Sequence, residues 1–177
     1  MRQETLEWNS ELEINRFLAK TKTGYLGLVD GEEPYVIPLN FVWHHNTIYF
    51  HGASEGRKMD VLKKNNHACF TVSLDLGTMT NPVPAKTDTA YHSVLIFGQV
   101  EQIDNLDEAT AAMQLLLDKY VPGYYQQPLA KTHIEKYRSP LGSETKILKI
   151  PCKKLTAKKN ELNPAIEFYH GRTVSND

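Results

Sequence analysis

The residues with most capacity for chemistry fall in one short run, His51-Gly52-Ala53-Ser54-Glu55-Gly56-Arg57-Lys58. Arg57 and Lys58 are adjacent cations, and the small residues before them let a ligand approach the backbone closely. A helix is expected from about 55 to 64, with Ser54 as its N-cap and Met59 and Leu62 turned to the core. Gly56-Arg57-Lys58 then falls in the first helical turn, where unpaired N–H groups and the positive end of the helix dipole favour an anion. Cations there run against the dipole unless an anion offsets them. A phosphate suits the pair, since arginine forks onto two oxygens and lysine acts as a point charge. An isolated Arg-Lys pair is more often solvated surface; the strand, small-residue turn and helix around this one set it apart. His51 shares a strand face with Tyr49 and reads either as a satisfied structural histidine or as a side chain lining a cleft.

The elements that must position this run can be read from periodicity. Residues 34–43 alternate, with Tyr35, Ile37, Leu39, Phe41 and Trp43 on one face and Val36, Pro38, Asn40 and Val42 on the other, the pattern of a strand. Pro38 gives up one ladder donor, so this strand is expected at an edge or against a ligand. His45-Asn46 supplies a hairpin turn, and a strand over 47–51 leads into the small-residue run. Upstream, Ser10 opens a helix with Leu12, Phe17 and Leu18 as its apolar residues, and a strand over 23–29 ends in the turn signal Asp30-Gly31. Downstream come a strand over 67–74 and a long turn-rich segment, 75–89, of the kind that forms binding lids. A strand over 91–103 follows, whose VLIF centre suggests burial on both faces. A helix over 106–120 is capped by Asp104 or Asn105. A short helix within 127–138 is stopped by Pro140, and a last strand covers 146–155 with a bulge or edge at Pro151. Six strands joined by sequential hairpins, with helices outside them, indicate an α+β protein built on an antiparallel barrel. The domain spans 1–159. The tail 160–177 carries Ile166, Phe168 and Tyr169 and is expected to pack on the barrel or on a partner.

Composition removes several function classes. A net charge of −1 over 177 residues gives no electrostatic case for nucleic acid or a membrane surface. No apolar run approaches a membrane span, and the opening MRQETLEWNSELEI has no signal-peptide core, so a cytoplasmic protein is expected. Two cysteines, Cys69 and Cys152, make neither a disulfide framework nor a Cys-x-x-Cys site. Seven histidines include no H-E-x-x-H and no Cys/His cluster, so no metal site is expected. No G-x-S-x-G or glycine-rich nucleotide loop is present, and Ser93 sits in mid-strand.

With these residues in place, the chain resembles the flavin-binding split-barrel superfamily related to pyridoxamine 5′-phosphate oxidase, and within it the nitroimidazole-resistance-like branch. The resemblance rests on PYVIPLNFVW (34–43), IYFHGASEGRK (48–58), NNHACFTV (65–72) and SVLIFGQV (93–100), in matching order over roughly residues 12–157. It implies a six-stranded split barrel that dimerises, with flavin mononucleotide (FMN) in each of two clefts between protomers. Val36, Ile37, Pro38, Leu39 and Asn40 would then lie along the isoalloxazine, offering backbone groups to its polar edge. Phe50, His51, Gly52 and Ala53 would approach the ribityl chain and phosphate, and Arg57 and Lys58 would hold the phosphate. Ser93 joins this cofactor-binding set, as does Lys158 from a neighbouring protomer, though the lysines around 153–159 also read as a solvated face. His51 is the candidate catalytic residue. The implied activity is electron transfer from a reduced nicotinamide to a small acceptor such as a nitro compound. The basic R-x-H clamp of the family's pyridoxine-oxidising members is matched only by the reversed Tyr169-His170-Gly171-Arg172, so vitamin B6 oxidation is not expected. Two other classes stay open: a flavin or haem binder without turnover, with His51 or another histidine on the iron, and a cofactor-free barrel of the same fold.

Overall fold

A computed structural model describes residues 4–138 and 142–176. The barrel is made of two antiparallel sheets. Strands β1 (Thr23–Asp30), β2 (Glu33–Asn40), β5 (His67–Met79), β6 (Asp88–Gln99) and β9 (Lys154–Asn160) form one, in the order β2-β1-β5-β6-β9. Strands β3 (Val42–His44), β4 (Thr47–Ala53), β7 (Glu101–Gln102) and β8 (Thr145–Pro151) form the other, in the order β3-β4-β8-β7. Helices α1 (Glu11–Lys20), α2 (Arg57–Lys64), α3 (Leu106–Tyr120) and α4 (Lys131–Glu135) lie outside them. The α+β barrel class is the one expected. The described strands number nine rather than six, because three segments that read as single strands each divide where the chain crosses between sheets, at Phe41, at Val100 and at Cys152-Lys153. Alternation continues through such a crossing, so pattern alone does not show the break.

Each crossing needs partners for backbone groups that leave one ladder before joining the next. At the first, the Phe41 N–H donates to the Tyr120 hydroxyl at 2.8 Å, and that hydroxyl donates on to the Lys22 carbonyl. Lys119, one residue earlier on α3, donates to the Leu18 carbonyl at 3.0 Å and sits 3.8 Å above the Phe41 ring. Burial there pulls its pKa down to about 8. At the second crossing, the Val100 N–H donates to the Asn66 carbonyl at 2.8 Å, and the Asn66 amide returns a bond to the Val100 carbonyl at 3.2 Å. At the third, Cys152 N–H donates to Asn46 and Lys153 N–H to Phe97, both at 2.9 Å. Gly98 lies where the second and third crossings meet, and a β-carbon there would overlap the Pro151 carbonyl oxygen.

Two apolar layers follow from the alternation. Leu26, Phe41, Ile48, Phe50, Phe70, Ile96 and Ile150 fill the barrel with no exposed surface. Val42, Ile103 and Ile147 face outward from the smaller sheet and are covered by Ala109, Met113 and Leu116 of α3. The α3 helix keeps its expected bounds, with Asn105 accepting from the Glu108 N–H. In α1 the expected cap Ser10 is present, but Leu12 is 62% exposed and Ile14 takes the buried position instead. The hairpin at His45-Asn46 has both residues at positive φ, as expected. The first hairpin turns on Gly31-Glu32 rather than Asp30-Gly31, since Asp30 still pairs with Glu33.

The segment 75–89 is mostly not a loop. The β5–β6 ladder runs on through a bulge at Asp75–Gly77 to Met79↔Asp88, leaving only residues 80–87 to turn, with a short 3-10 helix over Pro84–Lys86. Gly77, Asn81 and Pro82 signal turns locally, yet twelve of the thirteen residues of β5 find a partner on β6. The tail packs on this arm. Phe168 N–H donates to Thr78 at 2.8 Å and Thr80 N–H to Ile166 at 2.7 Å, while Phe168 and Tyr169 stay exposed. The short helix expected within 127–138 is α4, and the stop assigned to Pro140 lies outside the described residues.

Tyr120→Phe removes the acceptor of a buried N–H while keeping the ring, which should destabilise the protein by about 1–3 kcal/mol. Urea unfolding at unchanged m-value measures this; an unchanged midpoint would show that the first crossing does not need the hydroxyl.

Candidate functional site

The His51–Lys58 run forms a strand end, a bend and a helix start. Strand β4 extends to Ala53, pairing His51 with Ile147, Gly52 with Lys146 and Ala53 with Thr145. The Ser54 N–H donates to the Glu144 carbonyl at 2.8 Å. Ser54 is therefore not the helix cap. The N-cap is Gly56, at φ +97, a conformation other residues rarely adopt, and α2 begins one residue later at Arg57. Met59 and Asp60 N–H groups return to the Gly56 carbonyl, while those of Arg57 and Lys58 find no acceptor among the described residues. From α2, Met59 and Val61 are buried, with Leu62 only partly so.

The two cations differ sharply. Arg57 is committed: its Nε donates to Asp30 at 2.9 Å, its Nη2 to Glu33 at 2.8 Å, and its guanidinium lies 4.8 Å from the centre of the Tyr35 ring. The bonds to Asp30 and Glu33 raise its pKa. It thereby ties the start of α2 to the β1–β2 hairpin. Lys58 has neither a carboxylate nor a hydrogen-bond acceptor among the described residues. Its ammonium folds back over Gly52, where a β-carbon would collide with it, and reaches toward the Phe50 ring at 5.9 Å. Burial without a counter-charge lowers its pKa. A half-buried ammonium on a helix turn with free N–H groups has the chemistry to receive an anion, and Gly52 is the space in which it folds.

His51 points elsewhere. Phe50 and Leu148 face the barrel, whereas Tyr49, His51 and Ile147 face the α3–α4 layer. The His51 ring lies 5.9 Å from that of Tyr137, and its Nδ1 is buried with no hydrogen-bond partner among the described residues. Burial, and then the nearby Lys58 charge, lower its pKa. The expected catalytic histidine and the expected phosphate lysine thus lie on opposite faces of β4. Tyr137 was not singled out from sequence. It is placed by the Thr145 N–H, which donates to its carbonyl at 3.2 Å, a contact that no local pattern announces.

The remaining expected residues separate into two groups. Register places Val36, Pro38, Asn40, Tyr25, Gly27, Cys69, Leu95, Phe97, Ser93 and Lys158 on the outer face of the five-stranded sheet, with Ser93 directly opposite Lys158. Ile37 and Leu39 face inward against the barrel core. β2 is an edge strand, as Pro38 led one to expect, and one side of its backbone has no strand partner among the described residues. Arg57 holds α2 against the beginning of that edge. Ser93 and Lys158 lie three and four strands away, roughly 14 and 19 Å at ordinary strand spacing. Within one chain they do not meet Lys58 or β2.

Among the described residues no three His, Cys, Asp or Glu side chains converge as a metal site would require, and no helix is long and apolar enough to cross a membrane.

Comparison with known proteins agrees with this architecture. Residues 10–159 match the family model described as pyridoxamine 5′-phosphate oxidase. A candidate 5-nitroimidazole antibiotic resistance protein from Bacteroides thetaiotaomicron shares 25% identity over 86% of each chain, with a TM-score of 0.70. The flavocytochrome Anf3 from Azotobacter vinelandii aligns over 93% of this chain and 73% of its own, at 22% identity and a TM-score of 0.77. An FAD and haem binding protein from Mycobacterium smegmatis aligns over 89% and 75%, at 18% identity and a TM-score of 0.72. The latter two likenesses establish the fold. No curated protein sequence gives a significant match.

Proposed function

The chain belongs to the pyridoxamine 5′-phosphate oxidase family, and from that premise we propose that it binds FMN and passes electrons from a reduced nicotinamide to a small acceptor, a nitro compound being one such class. The observation that carries this reading is Lys58, a half-buried ammonium without a counter-ion among the described residues, on the first turn of α2, whose leading N–H groups are unpaired there. A terminal phosphate meets both needs at once. Arg57 plays a second part: paired with Asp30 and Glu33, it fixes the phosphate turn against β2. The free edge of β2 offers N–H and C=O groups to the polar rim of an isoalloxazine. When bound, the flavin supplies two-electron chemistry between donor and acceptor. The protein's share is position: Lys58 neutralises the phosphate, Gly52 leaves room for the lysine to fold back, and β2 orients the ring.

A homodimer completes the site. The outer face of the five-stranded sheet exposes Tyr25, Val29 and Val36 and carries half-buried Leu95 and Phe97. A second copy packed on this face would cover them and bring its own Ser93 and Lys158 toward the edge of β2. The relatives' names support a flavin and, in two cases, a haem. The flavin reading keeps priority here because Lys58 and the first turn of α2 suit a terminal phosphate.

A visible spectrum of the purified protein distinguishes flavin from haem, and anaerobic bleaching by a reduced nicotinamide distinguishes an enzyme from a carrier. Lys58→Ala should weaken FMN about 10- to 100-fold, the worth of one charge-assisted bond of about 1.5–3 kcal/mol, and leave riboflavin almost unchanged. Arg57→Ala should cost less, because its guanidinium is already paired. Equal losses of both ligands in Lys58→Ala, or none, would remove Lys58 as the phosphate ligand. Sedimentation of the flavin-loaded protein should give about twice the 20.2 kDa chain mass; a flavin-loaded monomer would exclude the shared cleft.

A further inference from the structure

The α3–α4 layer holds a cavity of about 600 Å³ that the flavin reading does not use. Its walls are Met113 and Leu117 of α3, Leu129, and Ile134 of α4, with the rings of Tyr125 and Tyr137 closing two sides. Two polar pins hold these walls in place. The Leu129 N–H donates to the Gln114 side chain at 2.7 Å, and Lys131 at the start of α4 pairs with Asp107 at the start of α3. Among the described residues no Lys, Arg, Asp or Glu lines the cavity; its polar groups are the Gln126 and Gln127 amides, His133 and the tyrosine hydroxyls. Size and lining are those of a preformed small-molecule site.

The buried side of this layer carries a second, independent observation. Tyr137, which forms part of the wall, lies against the His51 ring, whose Nδ1 is buried and has no partner among the described residues. Buried polar atoms are ordinarily satisfied, so this Nδ1 beside Tyr137 marks the back of the cavity wall as a place where a water or a ligand atom would be held. We propose that the α3–α4 cavity binds an uncharged, largely aromatic small molecule, with the Tyr125 and Tyr137 rings as stacking walls. An ion would find no counter-charge there and would lose its hydration, whereas a neutral aromatic molecule gains apolar and ring contacts. The site lies on the opposite face of β4 from Lys58, and the proposal does not depend on flavin binding at the β4–α2 turn.

The test uses the purified full chain and the neutral fluorophore N-phenyl-1-naphthylamine. Its emission should rise saturably, and it should bind at least 10-fold tighter than the anionic 1-anilinonaphthalene-8-sulfonate. Ile134→Trp and Leu117→Trp, which fill the cavity from different helices, should each weaken the neutral probe at least 10-fold. Circular dichroism identifies which of the two variants is folded, and the comparison of probes on the unaltered chain needs neither. Lys58→Ala should leave the neutral probe's affinity unchanged while FMN is titrated separately, so that failure of either site is seen independently. No saturable signal, equal affinity for the two probes, or full affinity in a folded cavity-filling variant would overturn the assignment.

Discussion

The fold depends on how the chain crosses between its two sheets. A strand that leaves one ladder for another exposes backbone groups at the corner, and burial makes each unpaired group costly by about 1–3 kcal/mol. The Tyr120 hydroxyl serves the Phe41 corner, Asn66 serves Val100, and Asn46 and Phe97 serve Cys152 and Lys153. The donors and acceptors come from the end of α3, the segment after α2, the β3–β4 turn and β6. The ends of α2 and α3 are thus each tied to a corner by a specific bond as well as by apolar contact.

The site inherits its shape from these ties. Asn66 lies just beyond the end of α2, so the second crossing fixes the far end of the helix. Arg57 fixes the near end through Asp30 and Glu33. Between the two anchors the first turn of α2 faces the end of β4, where Gly52 leaves room for Lys58 to fold inward. Burial of an uncompensated ammonium is unfavourable, and the proposed phosphate would offset that cost. The same strand presents His51 to the opposite layer, so two adjacent residues serve two different compartments.

Local chemistry was legible in the sequence wherever it was also decisive. The cap at Asp104 or Asn105, which falls on Asn105, the period of 106–120 and the left-handed His45-Asn46 turn reappear as read, because short-range bonds determine them. The edge position of β2 followed from Pro38. The three corners were not legible, since alternation runs through them and their partners come from distant segments. The 75–89 segment misled for the converse reason: Gly77 and Pro82 look like loop residues, yet Gly77 occupies a bulge within a paired arm. Gly56 outcompeted Ser54 as the cap because the bend after Ala53 needs a positive φ. The Arg-Lys pair was read as one anion clamp. Its division into a paired Arg57 and an unpaired Lys58 rests on Asp30 and Glu33, more than 20 residues earlier in the chain.

The most direct test of the account is the titration of the Lys58 side-chain nitrogen by NMR, assigned by its loss in Lys58→Ala, in the free protein and with ligand. In the free protein burial favours the neutral amine, so Lys58 should titrate below an ordinary lysine. A phosphate favours the charged form, so FMN should raise that pKa, and proton uptake on binding should appear between the two values. Riboflavin should leave it where it was. A Lys58 that titrates identically with and without FMN, or that riboflavin shifts as much as FMN does, would contradict the claim that this ammonium receives the phosphate.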